Sequence, residues 1–127
     1  MILVVFSLAI MSMSLNSVTL VGRAGRDPDV RYFESGKVVC HFSLAVDRRR
    51  KGEDKPDWFE LELWGRTAEV AGQYVKKGSL IGIQGSLSFD RWKDRSTGEE
   101  RQKPLIRVER LELLGSRNDQ ADPGPEF

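Results

Sequence analysis

The stretch Asp57-Trp58-Phe59-Glu60-Leu61-Glu62-Leu63-Trp64 alternates without a break and puts two of the chain's three tryptophans among its polar positions. Successive side chains of a β-strand point to opposite faces. Phe59, Leu61 and Leu63 therefore form one face, and Trp58, Glu60, Glu62 and Trp64 the other. Burying the Phe/Leu face leaves two indoles on a surface flanked by charge, where large aromatic rings are uncommon without a use. The third, Trp92, sits in Asp90-Arg91-Trp92-Lys93-Asp94-Arg95, again among cations. Exposed rings interleaved with Lys and Arg supply what a single-stranded nucleic acid needs, since bases stack on rings and phosphates meet cations. The competing reading is that the tryptophans fill an oligomer interface.

Outward from this strand, the chain from Ser17 reads as short strands separated by turn signals. Ser17 to Val21 is apolar and β-branched, and Gly22 and Gly25 allow a bend or bulge. Asp27-Pro28 marks a turn before a short strand from Val30 to Phe33, and Glu34-Ser35-Gly36-Lys37 is a hairpin turn. Val38 to Val46 alternates, with Val38, Cys40, Phe42, Leu44 and Val46 on one face. Asp47 to Pro56 is a charged loop leading into the Trp58–Trp64 strand. From Arg66 to Lys77 the period changes: Ala68, Ala71, Tyr74 and Val75 recur at helical spacing, Thr67 is the expected N-cap, and Lys76, Lys77 and Gly78 suit the C-terminal end. Leu80 to Arg91 returns to period two, with Gly82 and Gly85 permitting curvature. Ser96-Thr97-Gly98 closes a hairpin into a last strand, Leu105 to Leu114, whose apolar phase shifts between Val108 and Leu111, the mark of a bulge. With the short Val30–Phe33 strand set aside, three strands, one helix and two more strands with short connections form the layout of an all-β OB-fold, a five-stranded barrel with its helix between the third and fourth strands.

With 127 residues, 39% hydrophobic and 31% charged, the chain can bury one core without disulfides or metal. The expected organisation is an apolar extension over 1–13, the OB domain over 14–117 and a short acidic, disordered tail over 118–127. The tail holds Asp119, Asp122 and Glu126 and no basic residue. Removing those three from the 19 acidic residues leaves 16 against 20 basic, a mild +4 for the rest of the chain. Local clustering is sharper, in Arg48-Arg49-Arg50-Lys51. The apolar segment from Met1 to Met11 is too short to span a bilayer and has no Lys or Arg before Arg23 to make a secretory n-region. It reads as sequence upstream of the working domain, with a membrane-associating or self-associating extension as the alternative.

Enzyme chemistry finds little support. The single cysteine, Cys40, excludes an intramolecular disulfide and a multi-cysteine zinc site. Its neighbour His41 is the only histidine, and adjacent strand residues face opposite ways, so Cys40 reads as buried filler. Gly22-Arg23-Ala24-Gly25 resembles part of a dinucleotide fingerprint but leads into a turn and a strand, not a helix. No metal, cofactor or catalytic residue is expected.

Five segments in order carry a family resemblance between Asn16 and Gly115: Asn16-Ser17-Val18-Thr19-Leu20-Val21-Gly22-Arg23, Asp27-Pro28-Asp29-Val30-Arg31-Tyr32, Trp64-Gly65-Arg66-Thr67-Ala68-Glu69-Val70, Tyr74-Val75-Lys76-Lys77-Gly78-Ser79 and Gly85-Ser86-Leu87. The chain resembles the bacterial single-stranded DNA-binding protein family, with a cyanobacterial and plastid character. The resemblance implies an OB-fold, homotetramer assembly and binding of single-stranded DNA with little sequence preference in replication, recombination and repair. It puts Trp58, Trp64 and Trp92 at base-stacking positions and Arg66, Lys77 and Arg91 at phosphate-meeting positions. Arg23, Arg31, Arg48, Arg49 and Lys51 are the further basic candidates. Arg50 stands where such proteins commonly carry another stacking aromatic. Glu60 and Glu62, between the tryptophans, are unfavourable beside phosphate unless arginines pair with them.

The family's acidic tip usually ends in Pro-Phe; here the chain ends Asp122-Pro123-Gly124-Pro125-Glu126-Phe127. Asp122, Pro125, Glu126 and Phe127 are therefore the candidate contacts for replication and repair proteins. The implied setting is the bacterial cytoplasm with the nucleoid, or a plastid. A single-stranded RNA-binding OB protein and a protein-interaction OB module are the alternative functions.

Overall fold

The structure, a computed structural model, describes residues 15–47 and 55–115. The expected alternation is realised in six strands: β1 (Val18–Ala24), β2 (Asp29–Tyr32), β3 (Val38–Val46), β4 (Asp57–Trp64), β5 (Leu80–Lys93) and β6 (Glu100–Leu113). Among the described residues one helix, α1 (Gly65–Tyr74), joins β4 to β5. Hydrogen-bonded neighbours run β1-β5-β6-β4-β3-β2, and β1 also pairs with β3 through Arg23↔Ala45 and Ala24↔Leu44. The ladder β1-β5-β6-β4-β3 therefore returns on itself. β2, the short strand before the Gly36 turn, is a hairpin partner of β3 outside that ring. This is the OB layout, with the helix after the third strand of the ring.

The inner faces are those the period-two pattern marks. Cys40, Phe42 and Leu44 of β3 and Leu61 and Leu63 of β4 are fully buried, and Ile81, Ile83, Ile106 and Val108 join them from β5 and β6. Cys40 is core filler: burial pushes its thiol up to about 11, Asp29 adds to the rise and Arg26 opposes it. His41 points to the opposite face, where its imidazole meets Glu62.

The helix differs from expectation at both ends. Gly65 adopts φ 59°, a conformation glycine accepts without penalty, and the chain turns straight from β4 into α1. The N-cap is consequently Trp64, with no side-chain cap, and Thr67 lies within the first turn. At the other end Val75 is the C-cap, its N–H donating to Ala71 O. Val75 is buried, and the Ser79 hydroxyl accepts from the Lys76 N–H at 3.0 Å, drawing the chain out of the helix three residues early. Lys76 and Lys77 thus lie in the following turn. Ala68, Ala71 and Val75 face the core, whereas Tyr74 is exposed.

The bulge expected in the last strand is present. Gln84 pairs with Arg110 but Gly85 with Val108, leaving Glu109 as the extra residue on β6. A Cβ on Gly85 would collide with the Arg107 carbonyl, so the two strands approach this closely only at a glycine. Beyond Gly85, β5 leaves β1 and continues with β6 as a two-stranded arm to Lys93 and Glu100. The arm makes both strands longer than their sequence pattern indicates. Asp94 closes its tip, accepting from the Ser96 N–H and hydroxyl and from Arg101.

Candidate nucleic-acid interface

Cross-strand register fixes which side chains share the outer face with Trp58 and Trp64. Four rows cross β4. Arg31, Val39 and Trp64 form one row, and Asp29, His41, Glu62, Arg107 and Ser86 the next. Ser43 lies opposite Glu60, and Arg23, Ala45 and Trp58 form the last row. Trp58 and Trp64 stand at opposite ends of this face, six residues and about 20 Å apart along the strand. Each has an arginine two strands away in its own row, Arg23 for Trp58 and Arg31 for Trp64. The indoles are 60% and 40% exposed.

The glutamates between them are both engaged. Arg26 Nη2 donates to Glu60 Oε1 at 2.5 Å. Glu62 Oε1 accepts from the Trp64 indole N–H at 2.7 Å and from Arg107 Nη2 and Nε at 3.1 and 3.3 Å, and His41 Nε2 lies 3.2 Å from Oε2. Burial works to raise the pKa of Glu62, but hydrogen bonds from Trp64, His41 and Arg107, with the Arg107 charge, outweigh it and hold the carboxyl below the ordinary range. Each carboxylate therefore lies beside a guanidinium, so the surface between the tryptophans carries compensated pairs rather than two bare negative charges.

The Trp58 ring lies against Gly25: a Cβ there would collide with the indole and come within 2.7 Å of Ser43 Oγ. On its other side, β4 and β6 pair only at Leu61↔Ile106 and Glu62↔Arg107 and then diverge. The divergence opens an apolar cleft of about 390 Å³, with Trp58, Phe59 and Glu60 on one wall and Pro104, Leu105 and Ile106 on the other.

Trp92, 44% exposed, is on the arm. Its register partner is Arg101, and Lys103 and Arg107 follow at alternate positions of β6. Because Arg107 is the β6 neighbour of Glu62, Trp92 belongs to the same face of the continuous sheet as Trp58 and Trp64. Arg91 projects to the reverse face, opposite Gln102. Arg66 is exposed in the first turn of α1, 3.8 Å from Glu69. Lys77 lies in the turn tied to the Trp58 end, its N–H donating to Asp27 Oδ1 while Arg23 Nη1 donates to Gly78 O.

Arg26, Arg101, Lys103 and Arg107 are basic residues of this face that sequence reasoning did not single out. The signal for three of them is the alternation Arg101, Lys103, Leu105, Arg107, obscured by Pro104. Arg48, Arg49, Arg50 and Lys51, the apolar segment 1–13 and the tail residues Asp122, Pro125, Glu126 and Phe127 lie outside the described residues. Among the described residues no cluster of three or more His, Cys, Asp or Glu could hold a metal, and no helix is long and apolar enough to cross a membrane.

Residues 15–114 match the Single-strand binding protein family. The chain is 68% identical over 111 residues to Single-stranded DNA-binding protein 1 of Synechocystis sp., covering 87% of this chain and 92% of that one. It is 64% identical over 115 residues to Single-stranded DNA-binding protein 1 of Nostoc sp., covering 91% and 96%. A more distant relative, the single-stranded DNA-binding protein of Neisseria meningitidis serogroup A, is 37% identical over 118 residues, covering 89% and 67%. With the match spanning the whole strand ring and its helix, the chain belongs to the Single-strand binding protein family.

Proposed function

We propose that this protein binds single-stranded DNA without sequence preference and without catalysis, stacking bases on Trp58, Trp64 and Trp92 and meeting phosphates with the cations around them. The observation that carries the reading is the register: three exposed indoles share one sheet face with Arg23, Arg31, Arg101, Lys103 and Arg107. Pairing of Glu60 with Arg26 and of Glu62 with Arg107 removes the main objection to phosphate approaching this face, and with it the motive for a pure protein-interaction module. Arg66, Lys77, Arg91 and the block from Arg48 to Lys51 extend the cationic surface in this reading.

Tryptophan-fluorescence titration with dT oligomers at several salt concentrations tests it. Quenching on binding and an affinity that falls with salt are expected, each phosphate contact steepening the log–log slope by about 0.7 on a single strand. Tighter binding of rU than dT would turn the assignment to RNA, and no binding of either at low salt would overturn it.

Assembly as a homotetramer is part of the same proposal. Among the described residues, β1 pairs with β3 only through Arg23 and Ala24, so its edge from Val18 to Gly22 is open to another strand. The adjoining outer face exposes Val21 and Leu114 around a hollow of about 300 Å³ floored by Gly82. Sedimentation of the protein should give four chains, and Val21→Glu should lower that number; a monomeric parent would remove this part of the reading. The setting consistent with the function is the bacterial cytoplasm at the nucleoid, or a plastid. The acidic end Asp122–Phe127 is proposed to recruit replication and repair proteins, and equal pull-down with and without those six residues would end that idea.

A further inference from the structure

We propose that Glu62 is a positioning residue for Trp64: its carboxylate, clamped by Arg107 and His41, holds the indole N–H and lays the ring along β4 as a preformed platform for a base. The inference rests on the stacking role proposed above for Trp64.

Side chains of a strand ordinarily stand away from the sheet, and an exposed tryptophan can rotate about two bonds. The Trp64 indole instead reaches back two residues on its own face to donate to Glu62 Oε1 at 2.7 Å. A ring tied in that direction leans along the strand. Glu62 is itself fixed. Arg107 reaches the oxygen that Trp64 uses through two donors, and His41 reaches the other oxygen in the tautomer that carries its proton on Nε2. These partners come from β3, β4 and β6, so three strands set the direction of one ring. A platform held before the base arrives loses less rotamer freedom on binding than a mobile one. The same clamp accounts for an acidic residue in a phosphate-facing surface: the carboxylate is an acceptor for the indole, and Arg107 balances its charge.

The test is a set of dT titrations on the full chain carrying E62A, E62Q, W64A, E62A/W64A or E62Q/W64A, with the indole N–H of Trp64 followed by 1H–15N spectra. Removing Trp64 should weaken binding about tenfold in the parent and in E62Q, which keeps an acceptor oxygen, but by no more than about twofold in E62A, where the ring is already unplaced. The Trp64 indole resonance should shift in E62A and stay near its parental position in E62Q. Freed Arg107 should steepen the salt dependence of both Glu62 variants, which separates charge from positioning. Equal tenfold losses in all three backgrounds would overturn the positioning role and leave stacking on Trp64 standing. No loss from W64A in any background would overturn stacking at Trp64 itself, and the positioning role with it. An E62Q that behaves as E62A would overturn the hydrogen-bond account.

Discussion

At the Trp58 end of β4 an indole is held by shape; at the Trp64 end it is held by polar contacts. Trp58 rests on Gly25 and overlooks an apolar cleft where β4 and β6 part. Trp64 is tied to Glu62, which is tied in turn to Arg107 and His41. The difference follows from the neighbouring rows. Where β3 and β6 flank the strand closely, His41 and Arg107 are in register to build a network around Glu62. Where β6 has diverged, the ring packs beside Ala45 of β3 and against Gly25, a seat that requires a residue without a Cβ.

The comparison can be broken first at Gly25. Gly25→Val should drive the Trp58 ring off its seat, losing about 1–3 kcal/mol of stacking and destabilising the barrel by a similar overpacking penalty. A dT titration together with a thermal melt measures both, and unchanged binding would show that the seat is irrelevant. Next, Trp58→Ala should weaken DNA binding by about 1–3 kcal/mol with little change in the melting temperature, because the ring is mostly exposed. A smaller effect is expected from Arg26→Ala, which strips Glu60 of its partner beside Trp58. Affinity should fall by about 0.5–1 kcal/mol at low salt, and the loss should shrink as salt is raised.

The smallest effect sharpens the contrast through pH. The folded-state pKa of Glu62 is depressed, so its contribution to stability is present above the ordinary glutamate pKa and is lost as pH falls through the folded value. Acidification should therefore perturb the Trp64 indole signal in 1H–15N spectra while the Trp58 signal stays constant. Parallel changes in both would remove the distinction between the two ends.

Much of this was legible from residue order. Phe59, Leu61 and Leu63 are spaced so that only a strand can bury them together, and the same spacing forces Trp58 and Trp64 outward. The slip between Val108 and Leu111 revealed the bulge for the same reason. The ends of α1 were not legible, because burial of Val75 and the Ser79 hydroxyl, rather than local propensity, decide where the helix stops. Nor were the partners of the two glutamates: Arg26 is 34 residues from Glu60, and Arg107 is 45 from Glu62. A parallel pairing of only two registered positions brings the latter together. Pro104 concealed the cationic side of the arm by reading as a strand break. It is accommodated because β6 has no registered β4 partner at that point, so a missing N–H there breaks no rung on that side.

The extra residue at Glu109 has a mechanical consequence. Gly85 and the bulge opposite it form the fulcrum from which the two-stranded arm projects, and Trp92 rides seven residues beyond, a lever about 23 Å long. A change of about ten degrees at the fulcrum carries that ring through about 4 Å, roughly the separation of neighbouring strands in a sheet. Trp58 and Trp64 belong to the closed ring and keep a fixed span between them. The third indole rides on the arm, which the Asn16 side chain braces two residues past Gly85 by donating to Leu87 O and accepting from the Leu87 N–H.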